Sequence, residues 1–159
     1  MKVVFAADHA GFPLKEVLKP YVASLGYEVA DVGAHSLDMA DDYVPFMKSA
    51  AQEVASDPEH TRAITIGASG QGEALVPNRY KGVRAIVYYG PASQPQIDAS
   101  GKELDIIASS REHNDANVLS LGARFMTEDQ AKDAVKRWLE TPFSGGERHA
   151  RRVRMIDEA

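Results

Sequence analysis

Residues 2–32, KVVFAADHAGFPLKEVLKPYVASLGYEVADV, carry the pattern that decides the fold. Lys2–Ala7 is a short β-rich run and reads as a strand. Phe12–Leu25 places Leu14, Val17, Leu18, Tyr21 and Leu25 on one apolar stripe, with Pro13 in the first turn, so it reads as a helix. Gly26 stops that helix, and Tyr27–Val32 reads as a second strand.

Working outward, the alternation continues. A polar loop rich in aspartate leads to a helix over Tyr43–Ala55, and Arg62–Ile66 is a third strand. Gly67–Gly72 is a loop that opens a short helix. Val83–Tyr88 is a fourth strand and Asn117–Leu121 a fifth. Thr127–Glu140 is a helix with Thr127 as its N-cap, and residues after Pro142 form a basic C-terminal helix. Five strands alternating with helices predict a parallel sheet covered on both faces, in one domain spanning residues 1–159. Ligands of such sheets bind beyond the carboxyl ends of the strands. The loops of interest are therefore 8–11, 33–42, 67–72, 89–102 and the segment before 117. Residues 90–101, GPASQPQIDASG, read as a surface loop insertion after the fourth strand.

Composition removes several classes of function. The 159 residues carry 23 Asp and Glu against 18 Lys and Arg, a net charge of −5 that disfavours broad binding to nucleic acid or anionic membranes. The absence of cysteine excludes disulfides, thiolate metal sites and a cysteine nucleophile. No stretch reaches the ~20 apolar residues of a membrane span, and the apolar run at the start is too short for a signal peptide, so a soluble cytoplasmic protein is expected. No histidine pair has metal-ligand spacing, and no metal is expected; His35 and His60 read as loop residues.

Four clusters hold the residues suited to chemistry. Asp8-His9-Ala10-Gly11 ends the first strand, and a carboxylate beside an imidazole suits proton transfer or anion binding. The plainer alternative is a polar turn with Asp8 capping the helix. Gly67-Ala68-Ser69-Gly70-Gln71-Gly72-Glu73 lets backbone N–H groups approach an oxyanion or phosphate. It lacks the Gly-Lys-Ser/Thr of a Walker loop, and Leu75 stands where a dinucleotide fingerprint needs its third glycine. Glu73 by itself reads equally as a charge complementing the helix dipole. Arg111-Glu112-His113-Asn114-Asp115-Ala116-Asn117 puts an imidazole and amides before the fifth strand, in a place read as facing the ligand side. Arg148, Arg151, Arg152 and Arg154 crowd the C-terminal helix, with Arg148 and Arg152 on one face. They read either as an anion site, which Arg124 would join, or as a solvated helix end.

Taken together, Asp8-His9-Ala10-Gly11-Phe12, the loop to Glu73, Arg111 to Asn117 with Leu121-Gly122-Ala123-Arg124, and Thr141-Pro142-Phe143 through Arg152 resemble the ribose-5-phosphate isomerase B family, which includes allose- and galactose-6-phosphate isomerases. The resemblance runs in order over nearly the whole chain. It implies a Rossmann-like three-layer α/β/α sandwich with a five-stranded parallel sheet, aldose–ketose isomerisation of a phosphorylated sugar, and no metal or organic cofactor. Most members place a catalytic cysteine where this chain has Gly67; a branch similar to the actinobacterial enzymes uses a glutamate just after the loop, at the position of Glu73. The implied catalytic set is Glu73 as base, His113 and Asp8 for ring opening, and Ser69 with Gly70 to Gly72 for the enediolate. The implied binding set is Asn114 on a sugar hydroxyl, Tyr43 and Asp42 beside the sugar, and His9, Arg124, Arg148 and Arg152 on the phosphate. The resemblance also implies a homodimer or dimer of dimers with shared active sites, Glu73 from one chain and His113 from the other. Ribose 5-phosphate is the expected substrate. A hexose 6-phosphate isomerase, a non-catalytic sugar-phosphate sensor, and a hydrolase or lyase using His9 and Asp8 are the alternatives.

Overall fold

The computed structural model describes residues 1–94, 96, 97, 101 and 103–158. Strand β1 (Lys2–Ala7) sends Val3, Phe5 and Ala7 to one face and Val4 and Ala6 to the other, and all five are fully buried. Burial on both faces is the signature of a central parallel strand. Helix α1 (Phe12–Ser24) lays Leu14, Leu18 and Val22 on the first face, and the chain returns as β2 (Glu28–Asp31). Helix α2 (Tyr43–Ser56) covers the second face with Met47, Ala50 and Val54. It is followed by β3 (Thr61–Gly67), the short α3 (Gln71–Leu75) and the edge strand β4 (Ala85–Tyr88). Then come α4 (Ile106–Asn114), β5 (Val118–Gly122), α5 (Glu128–Glu140) and α6 (Glu147–Asp157).

All five strands are parallel, in the order β2-β1-β3-β5-β4. The fold is the α/β/α sandwich that the alternation predicts. The chain winds from β1 to β2 on one side and crosses back to β3 on the other. The loops after β1 and β3 therefore part, and a crevice opens at the carboxyl ends of these neighbours. Among the described residues no helix is long and apolar enough to cross a membrane.

Several element ends lie one residue from the sequence reading, and three further points stand out. The fourth strand starts at Ala85 rather than Val83, because the N–H of Val83 is taken by a turn to Tyr80. Asp8 does not cap α1. The N-cap is Gly11, and Asp8 Oδ1 accepts from the N–H groups of Ala10 (3.0 Å) and Gly11 (3.3 Å) in the turn before the helix. The insertion falls partly outside the described residues. Within it, Pro91–Gln94, Gln96, Ile97 and Gly101 are exposed, and an antiparallel bridge joins Ile97 to Glu103.

A buried ion pair locks the entry to the polar loop. Lys15 on α1 is fully buried, and its Nζ donates to Asp31 Oδ2 (2.5 Å) and to the Ala34 carbonyl (2.6 Å). Lys19 donates to the same carboxylate at 2.6 Å. Burial pushes Asp31 up, but these hydrogen bonds prevail and hold it below the ordinary carboxylate range.

Gly11 lies against the backbone of β3: a Cβ there would overlap the carbonyl group of Ile66. Gly11→Ala should therefore lower stability by about 1–3 kcal/mol, because backbone and not a flexible side chain must move. Chemical denaturation against the parent protein measures it.

Candidate active site

The crevice at the carboxyl ends is built around Gly67-Ala68-Ser69-Gly70-Gln71-Gly72-Glu73. Two buried hydroxyls pin this loop from below. Ser120 Oγ on β5 donates to the Gly70 carbonyl at 2.6 Å, and Thr65 Oγ1 on β3 donates to the Glu73 carbonyl at 3.1 Å. Gly70 has φ +73°, a left-handed conformation in which a Cβ would also crowd Leu121.

Glu73 is a buried charge of this crevice, 5% exposed, with Oε2 lacking a hydrogen-bond partner among the described residues. Burial pushes its carboxyl above the ordinary range and the nearby Asp8 charge adds to this, while the N–H groups of Glu73 and Gly70 pull the other way. Its carboxylate stands in the space belonging to residue 67. A Cβ built on Gly67 would fall inside the carboxyl group, with even the farther oxygen only 2.8 Å away. The tip of the Tyr43 ring packs against Gly72, where a Cβ would come within 2.7 Å of it. Position 67 must be glycine for Glu73 to reach the crevice, and position 72 must be small for Tyr43 to sit beside it.

Asp8 is buried at the end of β1, and His9 beside it is half-buried. His9 is held from the loop after β2. Its backbone N–H donates to Asp41 Oδ1 at 3.1 Å and its Nδ1 meets the same oxygen at 2.6 Å. The hydrogen bond that His9 donates to Asp41 raises the imidazole above its ordinary value, helped by Asp8 and opposed by desolvation and by the charge of Arg124. Arg124, exposed after β5, thus belongs to the same end of the sheet, as does Ser69, whose Oγ accepts from the Gln71 N–H at 3.4 Å. Tyr89 and Phe125 stack edge to face at 5.2 Å on the rim, and Gly122 leaves room for the Tyr89 ring next to Ser69.

The remaining sequence-predicted residues lie elsewhere. The segment Arg111–Asn117 runs into the amino end of β5, not to the ligand side as its sequence reading has it. Asn117 bridges to Arg84 before β4 and to Ala63 at the start of β3. His113 and the exposed Asn114 end α4, and the His113 ring lies 4.4 Å from that of His149 on α6. Arg148 and Arg152 are exposed on α6, which contributes no buried residue and touches α4. One chain therefore does not unite Arg124 with Arg148 and Arg152, nor Glu73 with His113. The length of β5, about 16 Å at ~3.3 Å per residue, stands between the two groups.

Asp41 escapes a reading by local pattern. Its neighbour Asp42 is exposed at the N-cap of α2 and makes no side-chain cap bond. The signal is an Asp-Asp pair in a loop of interest, but which carboxylate turns inward depends on β1, 32 residues away. Asp8, His9 and Asp41 each bring a ligand atom to within 4.8 Å of the others, a grouping with the spread to hold a cation. The 2.6 Å between His9 Nδ1 and Asp41 is, however, a hydrogen bond; two ligands at ~2.1 Å around a tetrahedral ion stand about 3.4 Å apart.

The Ribose/Galactose Isomerase family model matches residues 3–156. The chain is 32% identical over 158 residues to ribose-5-phosphate isomerase B of Mycolicibacterium paratuberculosis, covering 99% of this chain and 91% of that protein. It is 35% identical to ribose-5-phosphate isomerase B of Escherichia coli over 155 residues, 98% and 93% of the two chains. Among solved structures, ribose-5-phosphate isomerase B from Mycoplasma genitalium with bound ribulose-5-phosphate superposes with a TM-score of 0.86 at 29% identity, covering 99% of this chain and 94% of that one.

The raised carboxyl of Glu73 has a consequence for stability. A group whose folded pKa lies above its unfolded value favours the fold below the unfolded pKa, and this advantage fades as pH rises through the folded pKa. Glu73→Gln removes the titration. The melting temperature of the variant relative to the parent should therefore be more favourable at pH 7.5 than at pH 4. A difference independent of pH in thermal unfolding would mean that Glu73 titrates as an exposed carboxylate.

Proposed function

The chain belongs to the ribose/galactose isomerase family, and on that premise we propose that it interconverts ribose 5-phosphate and ribulose 5-phosphate with Glu73 as the base. The observation that carries the reading is the Gly67–Glu73 pair: a buried carboxylate with a raised pKa, projecting through the space of an absent side chain into the crevice at the switch point. The crystal structure of the relative from Mycoplasma genitalium holds ribulose-5-phosphate.

The carboxylate of Glu73 takes the proton from C2 of the open-chain aldose. The electron pair moves into a C1–C2 double bond, and the carbonyl oxygen becomes the enediolate oxygen. Backbone N–H groups from Ser69 to Gly72 hold the oxygens, a contribution of roughly 3–4 kcal/mol per well-placed donor in measured oxyanion holes. The proton on Glu73 returns to C1, and transfer between the two oxygens completes the ketose. Burial suits this base, because an acid–base group works best with a pKa near the operating pH.

The furanose ring must open first. His113 protonates the ring oxygen and Asp8 accepts the hydroxyl proton. In a single chain His113 lies at the amino ends of the strands, so the reading requires a two-fold dimer in which His113, Asn114, Arg148 and Arg152 of the partner subunit cover the crevice. The exposure of Asn114 at the end of α4 and of Arg148 and Arg152 on α6 supports this. His9 and Arg124 of the first chain then meet the partner's arginines around the phosphate. Tyr43, packed on Gly72, flanks the sugar.

Gly67→Ala tests the base. It alters no ionisable group, yet it drives the Glu73 carboxylate from its place, and displacement of a reacting group by ~1 Å costs on the order of 100-fold. We expect kcat to fall by about that factor in an assay of ribose 5-phosphate, with circular dichroism unchanged. Normal turnover would place the base elsewhere.

Subunit mixing tests the shared site. Glu73→Gln and His113→Asn homodimers should each be inactive. Co-refolded at equal ratio, half the dimers are mixed, and each mixed dimer holds one site with both native residues. Activity should return to about a quarter of that of the parent. No recovery, with mixed dimers verified by mass, would put both residues in one chain's site.

A further inference from the structure

His9 is placed by a carboxylate that lies outside the family resemblance. Asp41 Oδ1 takes both hydrogen-bonding groups on the near side of His9, the backbone N–H at 3.1 Å and Nδ1 at 2.6 Å. A carboxylate can only accept, so Nδ1 carries the proton in this contact. That leaves Nε2 on the opposite edge of the ring, with no hydrogen-bond partner among the described residues, on a side chain that is 23% exposed. The Asp41 side chain is nine-tenths buried, and its second oxygen, Oδ2, has no hydrogen-bond partner among the described residues. A carboxylate so placed is costly unless a cation stands beside it, and His9 is its ion-pair partner.

We propose that Asp41 is the positioning residue for His9: it fixes Nδ1 as a donor and turns Nε2 to the substrate, where it holds the phosphate group beside Arg124. The inference rests on the sugar-phosphate isomerase reading for the identity of the anion. The groups acting on the His9 charge are Asp41 from the loop after β2, Asp8 from its own turn and Arg124 from the end of β5. The two carboxylates outweigh the arginine, so the imidazole stays protonated to a higher pH than usual. The charged form donates from Nε2 to a phosphate oxygen; loss of the proton turns that nitrogen into an acceptor and repels the anion.

Because Asp41 touches no substrate in this scheme, its effect must pass through His9. Asp41→Ala and His9→Ala should each raise KM for ribose 5-phosphate by about ten- to a hundredfold, the worth of a charge-assisted hydrogen bond. In both, kcat should stay within about threefold. The double variant should be no worse than His9→Ala alone. Asp41→Asn keeps an acceptor of the same shape, so its KM should rise less. Its loss of affinity with rising pH should begin at lower pH than in the parent. Inorganic phosphate, titrated into the same proteins by calorimetry, should show the same ranking of dissociation constants. Additive effects of the two alanine substitutions would overturn the proposal. So would an unshifted pH profile in Asp41→Asn, or a phosphate affinity that requires an added divalent cation. If the parent protein does not isomerise ribose 5-phosphate, the proposed function falls, while the phosphate titrations still decide for or against Asp41.

Discussion

A carboxylate and a missing side chain occupy the same volume in this protein, and the rest of the crevice is arranged around that exclusion. Glu73 reaches over Gly67 because β3 ends there without a Cβ. For the reach to be useful the loop between them must be stiff. Ser120 and Thr65 supply this by bonding the loop carbonyls from the neighbouring strands β5 and β3, and both hydroxyls are thereby satisfied inside the sheet. Gly70 then turns the chain into α3 through a left-handed conformation, and Gly72 leaves the gap that Tyr43 fills from α2. Strands, loop and helix share one steric solution.

Charge follows the same division. The carboxyl ends of the strands gather Asp8, Asp41 and Glu73, with His9 and Arg124 as the compensating cations. The amino ends gather Arg62, Arg84 and Arg111, with Asp115 and Asp157 between them. Burial, together with the neighbouring Arg111, brings Arg62 down to about 10, a sign of how tightly these guanidinium groups are packed. The crevice gathers more carboxylates than cations, a surplus that the dimer proposed above would offset with cations from a second chain.

The regular parts of this architecture were legible because they repeat. The apolar stripe of α1 and the doubly buried β1 follow from spacing alone. Thr127 with Gln130 closes a full capping box at the start of α5. What local pattern could not supply was direction over distance. Arg111–Asn117 has the right residue types for a site, yet a segment leading into a parallel strand arrives at its amino end, and topology overrules composition there. Asp41 differs from Asp42 only in facing β1, a fact held in the fold and not in the string. Glu73 alone read as a helix-dipole charge. Its reading as a base comes from the resemblance, and the volume vacated at Gly67 supports that proposal.

Helix α6 spans eleven residues and buries none of them. Helices of that length are marginal in water without packing, below the ~12–15 residues at which even favourable sequences hold. Polar ties secure its two ends: Ser144 to His149 at 3.0 Å before the first turn, and Arg84 to Asp157 at 3.0 Å at the last. Arg148, Arg151, Arg152 and Arg154 thus ride on an element whose order is conditional on what it lies against. Apparent affinity for any anion they hold is the intrinsic affinity multiplied by the fraction of chains in which the helix is docked. In the proposed dimer, where the partner's helix covers the crevice, phosphate recognition would inherit a mass-action law, falling as dilution separates the two chains even where every side chain of the crevice is intact.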